Sequence, residues 1–158
     1  MPEARASVIA YVALGANLGD AADALRRALA ALAELPDTRL TAQSSFYRSA
    51  PLEAQGPDFV NAVAELHTRL TAPALLAQLQ RLERAAGRER PYRHAPRTLD
   101  LDLLLYGDAR VDSAQLTLPH PRMQQRAFVL QPLAEIAPPR VSAAALASVA
   151  GQAIERLP

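Results

Sequence analysis

Cysteine is absent from this chain, and so are tryptophan and lysine. Without cysteine there can be no disulfide, no thiolate metal site and no cysteine nucleophile. Aromatic residues make up only 4% of the chain and the formal net charge is +1. Neither a broad stacking platform nor a basic field therefore points to nucleic acid. No apolar run approaches the roughly 20 residues that a membrane-spanning helix needs. Met1–Ser7 lacks the apolar core of a signal peptide, so a cytoplasmic location is expected. What remains is a soluble globular composition, 50% apolar and 21% charged, with a length that suits one domain over residues 1–158.

All 17 basic side chains are arginine. Codon usage in a genome that favours arginine would explain the total. It does not account for the clustering of Arg81, Arg84, Arg88, Arg90, Arg93 and Arg97. Guanidinium forks suit phosphate oxygens, so this cluster is open to a functional reading as well as a solvated-surface one.

The pattern along the chain predicts alternating elements. Ser7–Leu14 reads as a buried strand, broken by Gly15–Gly19. Asp20 can cap a helix with Leu25, Leu29 and Leu32 on one stripe, ended by Pro36-Asp37. Leu40–Tyr47 reads as a second strand, Ser49–Asp58 as a loop and Phe59–Leu66 as a third strand. Thr71 can cap a second helix carrying Leu75, Leu79, Leu82 and Ala86, with Gly87 at its end. Arg88–Pro96 is a polar loop, and Leu99–Tyr106 is an apolar strand with aspartates inserted. Short edge strands are expected in Val111–Leu118, partial helix in Arg126–Ile136 and a C-terminal helix in Ser142–Leu157. The order is β-α-β-β-α-β with a helical tail. That predicts an α+β fold of ferredoxin-like type, with helices packed on one face of the sheet.

The sharpest chemical feature is Asp100-Leu101-Asp102. Side chains two apart on a strand share a face, so two carboxylates stand side by side while Leu99, Leu101 and Leu103 take the other face. Such a pair is costly unless neutralised. Mg²⁺ is suited to it, since it takes one or two carboxylates plus waters and substrate phosphates. A solvent-facing pair, or one bridged by arginine, is the structural alternative. The apolar flanks suggest a central strand. Arg97 precedes the strand, and Arg88, Arg90 and Arg93 lie on the loop before it. Metal-holding acids beside phosphate-holding arginines are the apparatus of phosphoryl transfer. Gly15–Gly19 lacks the lysine and spacing of a P-loop. His120, between Pro119 and Pro121 and shortly before Arg126, could bond a phosphate or serve the fold. No nucleophile motif is present, so direct displacement is expected.

Several segments together resemble one family. These are LGANL (Leu14–Leu18), SSFYR (Ser44–Arg48) with Pro51-Leu52, FVNA (Phe59–Ala62), Gln80–Glu83 with Gly87-Arg88, PRTLDLD (Pro96–Asp102), and Pro119-His120 through Arg126 and Phe128. From Val8 to about Pro138 the chain resembles 6-hydroxymethyl-7,8-dihydropterin pyrophosphokinase, a folate-pathway enzyme. The resemblance implies attack of the pterin hydroxymethyl oxygen on the β-phosphorus of ATP, with AMP leaving. It implies two Mg²⁺ ions held by Asp100 and Asp102, and phosphate charge neutralised by Arg88 and Arg97. Arg90, His120 and Arg126 would support them, and Gln80 and Glu83 would lie beside the nucleotide. Ser49, Leu52, Phe59, Asn61 and Phe128 would form the pterin slot. The expected partners are these two small molecules alone, without nucleic acid or membrane, and the expected state is a monomer. The chain departs from the family pattern at His94, where tryptophan is common, at Phe59 for tyrosine, at Pro121 for tyrosine and at Gln115 for arginine. Arg88–Ala95, polar and broken by Pro91, is expected to act as a lid. The competing readings are a ferredoxin-like RNA-binding module and another Mg²⁺-dependent nucleotide transferase.

Overall fold

A computed structural model of the chain describes residues 5–17, 19–50, 57–87 and 99–158. Strand β1 (Val8–Ala16) leads to helix α1 (Ala21–Ala33), then strands β2 (Thr38–Gln43), β3 (Tyr47–Ser49) and β4 (Phe59–Thr68). Helix α2 (Ala72–Gly87) and strand β5 (Asp100–Tyr106) follow. A small hairpin of β6 (Val111–Asp112) and β7 (Thr117–Leu118) precedes helices α3 (Ala127–Ile136) and α4 (Ala143–Ser148), and the chain ends in strand β8 (Ile154–Arg156). The predicted caps form: Asp20 accepts from the Asp23 N–H at 3.0 Å, and Thr71 Oγ1 from the Ala74 N–H at 3.2 Å.

The main sheet is antiparallel in every pairing, ordered β5-β1-β4-β3-β8, with β2 also paired to β4. It is a mixed helix-and-sheet fold. Period-2 alternation divides the sheet into two faces. One face presents Ala10, Val12, Leu14, Ala62, Ala64, Leu66, Leu101 and Leu103, and α1 and α2 bury it with Leu25, Leu29, Leu32, Leu75 and Leu79. The opposite face presents Tyr11, Ala13, Val63, Leu104 and Leu105, and Met123, Val129 and Leu133 cover it at one end. The register of β5 against β1 slips between Tyr11 and Val12. This bulge is what turns Leu104 and Leu105 toward α3 after Leu101 and Leu103 have faced α1 and α2.

Four expectations are corrected. Helices pack on both faces of the sheet, since α3 carries Val129 and Leu133, an apolar stripe too strong for a solvated tail. The strand carrying Asp100 and Asp102 is an edge strand among the described residues, not a central one. Its apolar character reflects cover by α2 on one side and by the segment near His120, whose N–H donates to Leu104 O at 2.9 Å, on the other. The stretch from Leu40 to Tyr47 is not one strand. Ser44 interrupts it, because its Oγ accepts the Val63 N–H at 2.9 Å and so replaces a ladder bond. The tail from Ser142 is not one helix. It stops at Ser148, Gly151 follows, and Ile154–Arg156 turns to pair with β3. Pairing satisfies an edge that a helix would have left open.

Candidate active site

The half of the second face that α3 leaves uncovered is a cleft of about 570 Å³. Its floor follows from cross-strand register. Asn61 on β4 pairs with Gly15 on β1, and Gly15 pairs with Asp100 on β5. Ala13 lies opposite Asp102 one step along. Two carboxylates and a carboxamide thus share one surface with only small residues between them. Gly15 keeps the floor open: a Cβ on it would come within 3.2 Å of Asn61 Oδ1, close enough that the amide would have to give way.

Asn61 and Ser49 are buried, at 3% and 6% exposure. Asn61 Nδ2 donates to Ser49 Oγ at 2.7 Å. That bond orients the amide, leaving Oδ1 on the Gly15 side and one N–H to spare. Phe59 and Phe128 flank the cleft, and the Arg126 guanidinium lies over the Phe128 ring, 5.4 Å from its centre. Asp100 and Asp102 are half-buried. No arginine lies within ion-pair distance of Asp102 among the described residues.

The structure therefore brings Ser49, Phe59, Asn61, Asp100, Asp102, Arg126 and Phe128 into one cleft. His120 stands just outside it, where burial and the charges of Arg126 and Arg122 hold its pKa down against the pull of Asp102. Its Nδ1 accepts the Arg122 N–H at 3.2 Å, which leaves Nε2 as the proton-bearing nitrogen. Glu83 does not line the cleft. Its carboxylate accepts the Leu101 N–H at 3.0 Å, so it braces the backbone between the two aspartates. Gln80 is exposed on α2, outside the cleft lining. Leu52, Arg88, Arg90 and Arg97, and with them the lid and His94, lie outside the described residues. Sequence reasoning missed Gly15, Arg122 and Gln125 as cleft residues. Gly15 and Arg122 sit inside the LGANL and Pro119–Phe128 segments, and spacing alone gave no sign of which way they face.

The donor set suits a hard divalent cation. Asp100 and Asp102 offer only oxygen ligands on one face of a strand, open toward the cleft, with room for waters and phosphate oxygens. No cluster of three or more metal-ligating side chains occurs among the described residues.

The family model for 7,8-dihydro-6-hydroxymethylpterin-pyrophosphokinase matches residues 11–138. The chain belongs to this pyrophosphokinase family. It is 49% identical over 131 residues to 2-amino-4-hydroxy-6-hydroxymethyldihydropteridine pyrophosphokinase of Haemophilus influenzae, with 82% of each chain covered. To the pyrophosphokinase of the same name from Pseudomonas aeruginosa it is 48% identical over 155 residues, covering 94% of this chain and 96% of that one. Among solved structures, the fold matches Plasmodium falciparum HPPK-DHPS with SDX-DHP at a TM-score of 0.69 and 14% identity. That match covers 86% of this chain and 43% of the Plasmodium chain. The matched family segment runs from β1 through α3, and so contains every cleft-lining residue.

Proposed function

We propose that this pyrophosphokinase transfers the β,γ-pyrophosphoryl group of ATP to the hydroxymethyl oxygen of 6-hydroxymethyl-7,8-dihydropterin, releasing AMP for folate biosynthesis. The observation that carries the reading is the shared floor of the cleft, where the Asp100–Asp102 pair on β5 and the Asn61 amide on β4 lie on either side of β1, across Gly15. An acceptor held at Asn61 is thereby placed beside phosphates held at the aspartates. We read the β-α-β-β-α-β core as ferredoxin-like, and all the described cleft residues come from one copy, which fits a monomer. Both substrates are small molecules, so neither nucleic acid nor a membrane takes part.

The residues divide by chemistry. Phe59 and Phe128 offer ring faces to a flat heterocycle, and Asn61 offers an acceptor and a donor to its edge, with Ser49 fixing the amide and Leu52 completing the slot. Asp100 and Asp102 would hold Mg²⁺. Bound there, it would neutralise phosphate charge and favour departure of AMP. Arg126 and Arg122 present guanidiniums to the polyphosphate, with His120 Nε2–H as a further donor, and Arg88, Arg90 and Arg97 are assigned the same task. Gln80 and Glu83 belong to the nucleotide side, Glu83 by bracing β5. No residue need form a covalent intermediate: the Ser49 hydroxyl is committed to Asn61, and phosphoryl transfer relies on positioning and electrostatics. In the reaction the acceptor O–P bond forms as the bond from the α,β-bridging oxygen to the β-phosphorus breaks, and the hydroxyl proton passes to solvent. The deciding experiment is a coupled assay of AMP release. The reading predicts release that depends on both hydroxymethyl-dihydropterin and Mg²⁺. ATP consumption indifferent to the pterin would refute it.

A further inference from the structure

Outside the cleft, the densest polar cluster in the described residues gathers on one carboxylate. Glu135, on α3, accepts the Ser45 N–H at 2.9 Å and the Ser45 hydroxyl at 3.1 Å through Oε2. Its Oε1 accepts the Tyr47 hydroxyl at 2.6 Å. Arg156, on β8, stands 3.8 Å away. These bonds join α3 to the corner between β2 and β3, some 90 residues away in sequence. A surface carboxylate with one partner contributes little, but this one accepts three donors from a single corner, and its side chain is only 23% exposed.

The corner leads directly into the cleft. Tyr47 pairs with Asn61 in the ladder, and Ser49, two residues on, supplies the hydroxyl that accepts from Asn61 Nδ2. β3 is only three residues long, so its own ladder bonds hold it weakly against β4. Its other supports are the Glu135 bonds and β8, which pairs with it along Tyr47–Ser49.

We propose that Glu135 is a positioning residue for the acceptor side of the cleft: by clamping Ser45 and Tyr47 it sets the place of Ser49 and so the orientation of the Asn61 amide. The inference rests on the pyrophosphokinase reading. It assigns Glu135 no contact with either substrate, and it predicts an effect on one substrate only. With the clamp loosened, Ser49 Oγ no longer holds Nδ2, and the amide presents its edge in mixed orientation. The acceptor then loses its hydrogen-bond pattern, while the aspartates and arginines on the other side stay in place.

The test is Glu135→Gln, which keeps the shape but cannot accept the three donors together, beside Tyr47→Phe, which removes one of them. For each folded variant, KM for hydroxymethyl-dihydropterin and for ATP is measured by AMP release, and pterin Kd by calorimetry. Expected for Glu135→Gln is a rise of about tenfold in pterin KM and Kd, the scale of one lost hydrogen bond. ATP KM should stay within about twofold, since no nucleotide-side group has moved. Tyr47→Phe should shift the pterin constants the same way by a smaller factor. The Asn61 side-chain amide resonances should move in both variants. A purely structural role would lower the melting temperature and kcat but leave pterin KM alone, and that result overturns the proposal. Pterin and ATP constants rising together overturn it as well. If Glu135→Gln fails to fold, an unchanged pterin Kd in Tyr47→Phe overturns it alone. A wild-type enzyme without pterin-dependent AMP release would fail the functional reading itself, and this proposal with it.

Discussion

Replacing Asn61 with alanine isolates what the acceptor side of the cleft contributes. Asn61 is 3% exposed and its Nδ2 bond to Ser49 is 2.7 Å long. The substitution removes the amide and leaves the buried Ser49 hydroxyl without that donor. Stability should fall by about 1 kcal/mol, the net value of one buried hydrogen bond. The loss in binding is larger, because the heterocycle's polar edge then meets an apolar wall. An unpaired buried polar group costs about 1–3 kcal/mol, which corresponds to a weakening of pterin binding by about 5- to 150-fold. ATP binding should change little, since Asp100 and Arg126 lie on other elements. Calorimetry with the pterin, and separately with a non-hydrolysable ATP analogue and Mg²⁺, measures both. A double-mutant cycle with Ser49→Ala should return a coupling of about 0.5–1.5 kcal/mol in pterin binding, because the serine acts through the amide. Equal losses for ATP and pterin would refute the placement of Asn61. Full additivity in the cycle would refute the orienting role of Ser49.

Asp100→Ala or Asp102→Ala should each cut turnover by about a thousandfold or more, as expected when groups that stabilise transition-state charge are lost. For Asp102→Ala without Mg²⁺ the melting temperature should hold or rise, because two crowded like charges become one; near-normal turnover of either variant with Mg²⁺ present would end the metal assignment. Gly15→Ala places a Cβ 3.2 Å from Asn61 Oδ1, and the bond from Nδ2 to Ser49 resists the small shift that the amide must make. Pterin affinity should fall about tenfold, the scale of one disturbed hydrogen bond; unchanged affinity in calorimetry would show that the amide yields freely. Glu135 also gives the fold a pH dependence. Partial burial pushes its pKa up, but bonds from Tyr47 and Ser45 and the Arg156 charge outweigh this and hold it below the ordinary 4.5. A depressed carboxylate stabilises the fold above its unfolded pKa and loses that contribution as pH falls through the folded value. The urea midpoint should therefore drop from about pH 4.5 downward, more steeply in wild type than in Glu135→Gln; parallel curves would contradict it. Burial and the Glu135 bond raise Tyr47 to about 12, so ultraviolet titration should show that phenol ionising at lower pH in Glu135→Gln.

Much of this protein was legible without coordinates, because the legible parts are local. The spacing of Leu25, Leu29 and Leu32 is a helix signal, the alternation of Leu101 and Leu103 with the aspartates is a strand signal, and Asp20 and Thr71 act within one turn of themselves. Family segments named the chemistry in the same way, as short runs in a fixed order. Tertiary structure decided whatever depends on residues distant in sequence. An apolar strand reads alike at the centre of a sheet or at an edge covered by helix and loop, so only the pairing showed β5 at the edge. The tail after Ser148 had helical composition, yet the unpaired side of β3 made a strand the better use of Ile154–Arg156. Register set Gly15 between Asn61 and Asp100, and a one-residue slip would have turned each side chain to the opposite face. The bonds of Glu135 to Ser45 span 90 residues and leave no periodic trace in the sequence. Periodicity tells which side of an element is apolar. Which elements meet, and so which polar groups face one another across the cleft, is settled only when the whole chain closes on its cores.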